Sequence, residues 1–149
     1  ATVVKAYRTA IDAYFEDPEG YKFDPEYLAE LKKVSHRDYT TGFYFGKPGG
    51  SEQHYESSSY IREYDMVGVV TKYDPETKMA EIVQKNRFFK GSEVEFLRPY
   101  GKFFTQTIEY MEDADGNELE VANRPQSIVR LKVNEEVEPD TFMRMQRKK

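Results

Sequence analysis

The stretch that decides the fold is MVGVVTKYDPETKMAEIVQ, residues 66–84. Apolar and β-branched residues dominate both of its ends, which is the composition that favours strands. The segment between them, Asp74 to Thr77, contains a proline and polar residues that are typical of a turn. The pattern therefore predicts an antiparallel hairpin with strands over residues 66–73 and 78–84.

The chain after this hairpin continues with short strands separated by turns. We expect further strands over residues 93–97, 103–111, 118–122 and 126–133. About six strands in so short a segment favour a small closed β-barrel, because closure removes the exposed edges of a small sheet. The sequence thus predicts a mainly β fold with its barrel domain over residues 65–149.

The chain before the hairpin is of a different kind. Residues 3–15 place apolar side chains such as Tyr7 and Ile11 three and four positions apart, which predicts an amphipathic helix. No nearby segment offers a partner for its apolar face. Because the first residues already read as a helix interior, we expect the chain to be the C-terminal piece of a larger protein.

A second short helix and an aromatic segment complete the predicted connector over residues 17–64. Asp24 as N-cap and Pro25 in the first turn predict a helix that ends near Val34. The aromatic residues 40–45 read as extended, and the polar residues 47–59 read as an exposed loop.

The composition excludes several functional classes. The chain has 149 residues and no cysteine, so this segment has no disulfide scaffold, thiolate metal site or cysteine nucleophile. No apolar run approaches the roughly 20 residues that cross a bilayer, and we expect a cytoplasmic protein without a membrane partner. The net charge of −5 argues against general nucleic-acid binding but leaves room for a local basic patch.

No residue pattern predicts catalysis or metal binding. His36 and His54 lie in loop-like segments without further ligands nearby, which predicts surface or capping histidines. The serines at 57–59 lack the context of an exposed nucleophile. The acidic residues 113–116 predict a tight turn rather than a calcium loop. We therefore expect no catalytic residue, metal or cofactor in this chain.

One segment, QKNRFFKG over residues 84–91, interleaves basic and aromatic residues at the end of a strand. Surfaces that bind single-stranded nucleic acid use this composition for phosphate contact and base stacking. The alternative is a strand end whose Phe88 fills the barrel while the basic residues face solvent. The candidate RNA-binding residues are Lys85, Arg87, Phe88, Phe89, Lys90, Arg98 and Lys102.

A second aromatic cluster, GFYFG over residues 42–46, predicts either a ligand platform or a surface that packs against a neighbouring domain. Its glycines permit close backbone approach in both cases. Together with the apolar face of the first helix it forms the candidate interface: Tyr7, Ile11, Phe43, Tyr44 and Phe45.

Several strings, taken in order, resemble the C-terminal region of the collagenase-like peptidase family U-32. They are YRTAIDAY at 7–14, VSHRDYTTGFYFG at 34–46, YIREY at 60–64 followed by VGVV at 67–70, NRF at 86–88, Gly91, and the pairs at 115–116 and 125–126. Each string is short, but their order and spacing extend the resemblance over essentially the whole chain.

The resemblance implies an N-terminal (β/α) barrel with conserved cysteine and histidine motifs, followed by a small barrel similar to those of translation factors. Residues 1–16 would then be the last helix of that upstream barrel, which would be a partner within the same polypeptide. The family's cysteine motifs have no counterpart here, so its metal or cluster chemistry falls on no residue of this chain.

The resemblance leaves three functional readings. Some members are collagenase-like proteases, others act in tRNA uridine or rRNA cytidine hydroxylation, and the long form resembles the tRNA-hydroxylation type. The readings are an accessory domain that engages tRNA, a structural domain that packs on the catalytic barrel or dimerises, and part of a protease. We favour the first, because no residue pattern here resembles a protease site.

Overall fold

A computed structural model of the chain describes residues 1–37, 39–50 and 60–147. It divides into two compact units, Thr2–Glu63 and Tyr64–Lys149. Most of the predicted loop over 47–59, including His54 and the serines at 57–59, lies outside the described residues.

The first unit contains the two predicted helices, α1 (Thr2–Glu16) and α2 (Glu26–Lys32). Pro25 occupies the N-cap position of α2, which corrects the prediction of Asp24 as N-cap. The Asp24 carboxylate still accepts a hydrogen bond from the backbone N–H of Glu26 at 2.9 Å. Asp24 thereby satisfies one of the backbone N–H groups that the first turn of the helix leaves unpaired. Both helices were correctly predicted.

The aromatic segment after α2 forms turns and is not extended as the sequence suggested. Gly42 and Gly46 have φ values of 52° and 136°. The N–H of Tyr44 donates to the carbonyl of Thr41 at 3.0 Å, and the N–H of Gly46 donates to Phe43 at 3.2 Å. Glycine reaches positive φ without steric cost, so the two glycines reverse a chain whose aromatic composition favours a strand.

His36 is buried, which corrects the prediction of a surface histidine. Its backbone pairs with Ile61, and its ring stacks on Tyr39 with centroids 4.8 Å apart. The ring Nδ1 lies 2.8 Å from the carbonyl oxygen of Val34. Pairing between His36 and Ile61 joins two residues that lie 25 positions apart in the sequence.

The described residues of the second unit form nine strands: β1 (Tyr64–Asp74), β2 (Met79–Gln84), β3 (Phe88–Phe89), β4 (Glu93–Leu97), β5 (Phe104–Thr107), β6 (Met111–Asp113), β7 (Val121–Ala122), β8 (Ile128–Lys132) and β9 (Phe142–Gln146). Seven form one antiparallel sheet in the order β5-β4-β9-β1-β2-β8-β6, and β3 pairs with β7. The mainly β fold is confirmed, with more strands than the predicted six.

The seven-stranded sheet curls into a half-barrel. Two register shifts in β1, after Met66 and after Val70, mark irregularities of the kind that bend a strand. A side chain at Gly68 would place its Cβ 2.3 Å from Ile82, so the sheet requires glycine there.

The two edges of the sheet, β5 and β6, are consecutive in sequence but share no ladder among the described residues. The predicted strand over 103–111 is interrupted between them because the chain changes partner. Ile108 donates to Ser92 beside β4, whereas the carbonyl of Tyr110 accepts from Lys132 of β8. The buried side chain of Gln106 also donates to the Lys132 carbonyl at 2.9 Å. Side-chain and linker contacts thus connect this part of the chain to β8, and the described residues form a half-barrel without a ladder between its edge strands.

A single apolar core fills the half-barrel, and every member of it lies between residues 67 and 143. Phe88, Phe96 and Ile82 are among its largest fully buried side chains. The polar Gln84 is buried among them.

Candidate nucleic-acid interface

The basic-aromatic segment is organised by the insertion of Phe88 into the core. Phe88 pairs with Ala122 and has no exposed surface, whereas its neighbour Phe89 pairs with Val121 and is 40% exposed. Successive side chains of a strand point to opposite faces, so burial of Phe88 turns Phe89 towards solvent. Phe88 therefore fills the barrel, as the alternative reading held, and is not available as a stacking surface for RNA.

Arg87 and Phe89 form a preorganised pair on this surface. The Cζ atom of Arg87 lies 4.7 Å from the centroid of the Phe89 ring, within the range of a cation–π contact. Arg87 is exposed, and no carboxylate pairs with it in the described part of the chain. Its charge is therefore held in place by an aromatic ring without being neutralised.

Lys85 brings a second positive charge to the loop between β7 and β8. Its ammonium donates to the Oε1 atom of Gln126 at 3.0 Å. Gln84 also joins the loop between β2 and β3 to the start of the loop between β7 and β8. Its side-chain amide donates to the carbonyl of Ala122 at 2.8 Å and to that of Asn86 at 3.2 Å. Arg124, on the second loop, is exposed and has no ion-pair partner among the described residues.

We call Lys85, Arg87, Phe89 and Arg124 the basic-aromatic surface. Arg124 was not predicted as part of it. Arg124 shares the β7–β8 loop with Gln126, which Lys85 contacts, and the placement of this loop depends on the pairing of β3 with β7 and of β2 with β8. A single sequence carries no local signal for either pairing.

Lys90 belongs to the predicted set but differs in its electrostatic state. Its ammonium forms ion pairs with Glu118 and, at 3.3 Å, with Glu120. The hydrogen bond that Lys90 donates to Glu118, followed by the one it donates to Glu120, raises the pKa of Lys90 above its usual value. Lys90 is thus already compensated by two carboxylates and is a poor candidate for phosphate contact.

Arg98 and Lys102 lie apart from the basic-aromatic surface. They follow the C-terminal end of β4, a strand about 13 Å long at 3.3 Å per residue, whereas Lys90 precedes its start. The guanidinium of Arg98 donates to the Lys102 carbonyl at 2.9 Å and pairs with Glu135 at 3.2 Å. The extended strand β4 therefore separates Arg98 and Lys102 from Lys90 along the chain.

The candidate interface residues are strongly exposed within the first unit. On α1, Tyr7 is 61% and Ile11 46% exposed, and in the aromatic turn Phe43, Tyr44 and Phe45 are 77%, 84% and 82% exposed. Removal of apolar surface from water contributes roughly 25 cal/mol per Å² to the free energy of association. Covering these exposed side chains with a partner surface is therefore favourable.

The described residues contain no group of three or more histidine, aspartate or glutamate side chains placed to hold a metal ion. The acidic residues 113–117 form the predicted turn: Gly116 has a φ of 87°, and the Asp113 carboxylate accepts from the backbone N–H groups of Asp115 and Asn117, each at 2.9 Å. None of the described helices is long and apolar enough to traverse a lipid bilayer.

Two family models match the chain in separate segments. The model of the peptidase family U32 C-terminal domain matches residues 62–144, and the model of peptidase family U32 matches residues 1–54. The first match covers most of the half-barrel unit, and the second covers α1, α2 and the aromatic turn.

Curated relatives are named for tRNA hydroxylation. The chain is 45% identical over 144 residues to tRNA hydroxylation protein P1 of Bacillus subtilis and 31% identical over 140 residues to tRNA hydroxylation protein P of Escherichia coli. These alignments cover 97% and 93% of the chain but only 34% and 30% of the two relatives. The chain thus spans about a third of the length of the relatives that it matches.

Two solved structures share the fold of the second unit. Both are crystal structures of the C-terminal domain of a U32 peptidase of Geobacillus thermoleovorans, one of them a selenomethionine variant. They are 46% and 43% identical to the chain, each with a TM-score of 0.52. They cover 54% and 56% of this chain, and 98% and 93% of their own.

Proposed function

The chain belongs to peptidase family U32, and on this premise we propose that its half-barrel is a non-catalytic accessory domain that helps a tRNA-hydroxylating parent protein to hold its tRNA. The names of the relatives supply the reaction and the RNA. The described residues supply a surface that suits the role.

The observation that carries the proposal is the exposed guanidinium of Arg87, whose Cζ atom lies 4.7 Å from the Phe89 ring centroid, with Lys85 two residues earlier in the same segment. Phosphate groups bind arginine and lysine through charge-assisted hydrogen bonds. An arginine without a carboxylate partner loses no ion pair when it binds phosphate. The net charge of −5 does not oppose this, because binding depends on the distribution of charge.

Titration of tRNA against the chain at several salt concentrations tests the proposal. The variant Lys85→Ala/Arg87→Ala/Arg124→Ala removes three charges from the basic-aromatic surface. Each phosphate contact contributes to the slope of log affinity against log salt. We expect the variant to bind more weakly and its salt slope to fall by about two.

The matched control is Lys72→Ala/Lys78→Ala/Lys132→Ala, which removes three exposed lysines elsewhere on the same unit. It leaves the same net charge, so only the location of the loss differs. Equal affinity of the two triple variants, or wild-type binding that does not respond to salt, contradicts the proposal.

A second candidate function, packing of the first unit on the preceding part of the parent polypeptide, is favoured by the exposed apolar residues of α1 and the aromatic turn. This segment is matched by the model of peptidase family U32 and not by the model of its C-terminal domain. The relatives are about three times as long as the chain. We therefore take the preceding segment of the parent as the partner.

Two double variants of the full-length parent, Phe43→Ala/Phe45→Ala and Tyr7→Ala/Ile11→Ala, test this second function. We expect faster limited proteolysis within the first unit and a lower melting temperature, with unchanged tRNA affinity. The control Tyr100→Ala removes an exposed aromatic from the half-barrel. Unchanged proteolysis of both double variants contradicts the packing function.

A further inference from the structure

We propose that the Arg87–Phe89 pair is a stacking site for one unpaired base, so that the RNA element held by the half-barrel is a single-stranded loop and not a duplex. This inference rests on the proposed function and specifies the substrate class of the same surface. The base stacks against the exposed Arg87–Phe89 pair, in which the Arg87 Cζ atom lies 4.7 Å from the Phe89 ring centroid.

The orientation of Arg87 is the first step of the argument. A free arginine samples many rotamers, but here the guanidinium is held 4.7 Å from an aromatic centroid. The ring is fixed in turn, because Phe89 lies in the β3–β7 pair and its neighbour Phe88 is fully buried. A guanidinium held in this way loses little conformational entropy when it meets a second planar group.

The chemistry of the exposed side is the second step. Arginine planes and aromatic rings are the groups on which RNA-binding proteins stack unpaired bases. In a duplex the base faces are stacked on each other, and a protein reaches mainly phosphates and 2′-hydroxyls. A stacked Arg–Phe pair therefore offers an unpaired nucleotide a contact that a duplex cannot use.

The charges around the pair indicate the path of the RNA backbone. Lys85 and Arg124 lie on the side of the β7–β8 loop, where they attract phosphates. Lys90 is neutralised by Glu118 and Glu120, and the exposed side chains of these glutamates repel phosphates. The backbone is thus expected to follow the loop that contains Arg124, with one base turned onto Arg87.

The experiment uses the chain described here and a nine-nucleotide RNA with 2-aminopurine at its centre, single-stranded or annealed to its complement. We expect quenching of the 2-aminopurine and tighter binding for the single strand. Arg87→Lys keeps the charge but lacks the plane, and Phe89→Leu keeps apolar bulk but lacks the ring. Each should lower single-strand affinity about fivefold or more, abolish the added quenching, and leave duplex affinity and the salt slope unchanged.

Tyr100→Leu, which removes an 80%-exposed aromatic ring elsewhere in the half-barrel, is the matched control and should behave as wild type. Equal binding of single strand and duplex, or Arg87→Lys with wild-type quenching, overturns the stacking site while leaving salt-dependent tRNA binding intact. Absence of any salt-dependent tRNA binding instead overturns the proposed function itself.

Discussion

Gln84 is the residue that holds the two loops of the basic-aromatic surface together. Its buried amide donates to Ala122 and Asn86, and its Oε1 atom accepts from the Ser127 hydroxyl at 3.3 Å. Replacement by methionine preserves the volume but removes the amide donor to both carbonyls, one of which belongs to the buried Ala122. We expect Gln84→Met to lower the free energy of unfolding by about 1–3 kcal/mol, measured by urea denaturation.

Ser127→Ala provides the comparison for this prediction, because it removes one donor to Gln84 and leaves both amide contacts in place. We expect it to cost less than about 1 kcal/mol. A Gln84→Met chain as stable as wild type shows that the two loops are held by their backbone bonds alone.

Asp113 makes the stability of the acidic turn depend on pH. Hydrogen bonds from Asn117, first from its side chain and then from its backbone, lower the pKa of Asp113 below its usual value. The charged form is therefore favoured by folding. Its contribution is present above the unfolded-state pKa, near 4, and is lost as the pH falls through the lower folded-state pKa.

We expect Asp113→Asn to be less stable than wild type at pH 7, with the difference shrinking towards pH 2. Urea denaturation across this range measures both chains. Asp115→Asn is the control, since the Asp115 carboxylate accepts no hydrogen bond in the described part of the chain. A difference between wild type and Asp113→Asn that stays constant with pH argues against the mechanism.

Among elements, β9 contributes the contact that sequence analysis missed most completely. It lies between β4 and β1, and Arg144 pairs in register with Glu95. The guanidinium lies 2.6 Å from the Glu95 carboxylate, and the two side chains are only 7% and 14% exposed. The sequence predicted no strand after residue 133, yet Arg144 is part of the sheet.

We expect Arg144→Met to destabilise the half-barrel by about 3 kcal/mol, because loss of one partner leaves the other charge buried. The double variant Arg144→Met/Glu95→Leu should recover much of the loss, since an apolar pair of similar volume carries no desolvation penalty. Urea denaturation of the single and double variants measures the coupling. A double variant that is less stable than Arg144→Met refutes this account.

The elements that the sequence predicted well are those with local signals. Alternating residues predicted β4 with its observed bounds, and the turn after Asp74 predicted the β1–β2 hairpin. The strand over 103–111 was predicted as continuous because nothing local marks the change of partner between β5 and β6. Likewise, polar and apolar residues do not alternate cleanly along β9, because its polar residue Arg144 is buried in an ion pair with Glu95.

At the scale of the whole molecule, the candidate site depends on contacts that are distant in sequence. Lys85 bonds to Gln126, 41 residues later, and Gln84 bonds to Ala122, 38 residues later. The sequence identified the basic-aromatic segment over residues 84–91. It also offered the burial of Phe88 as an alternative to RNA contact. Only the order of strands in the sheet determines which charges are free, which are neutralised and which lie at the other end of β4.

The location of the core makes a prediction about the half-barrel as an independent body. All core residues lie between Val67 and Met143, and related C-terminal domains crystallise without the rest of their chains. We expect residues 62–147 alone to unfold cooperatively in urea with β-sheet circular dichroism, as single domains of this size do. A chain that ends at residue 133 lacks β9 and should not fold, because β4 and β1 lose the strand between them. Non-cooperative unfolding of 62–147, or a folded chain without β9, would show that the sheet order does not govern the stability of this unit.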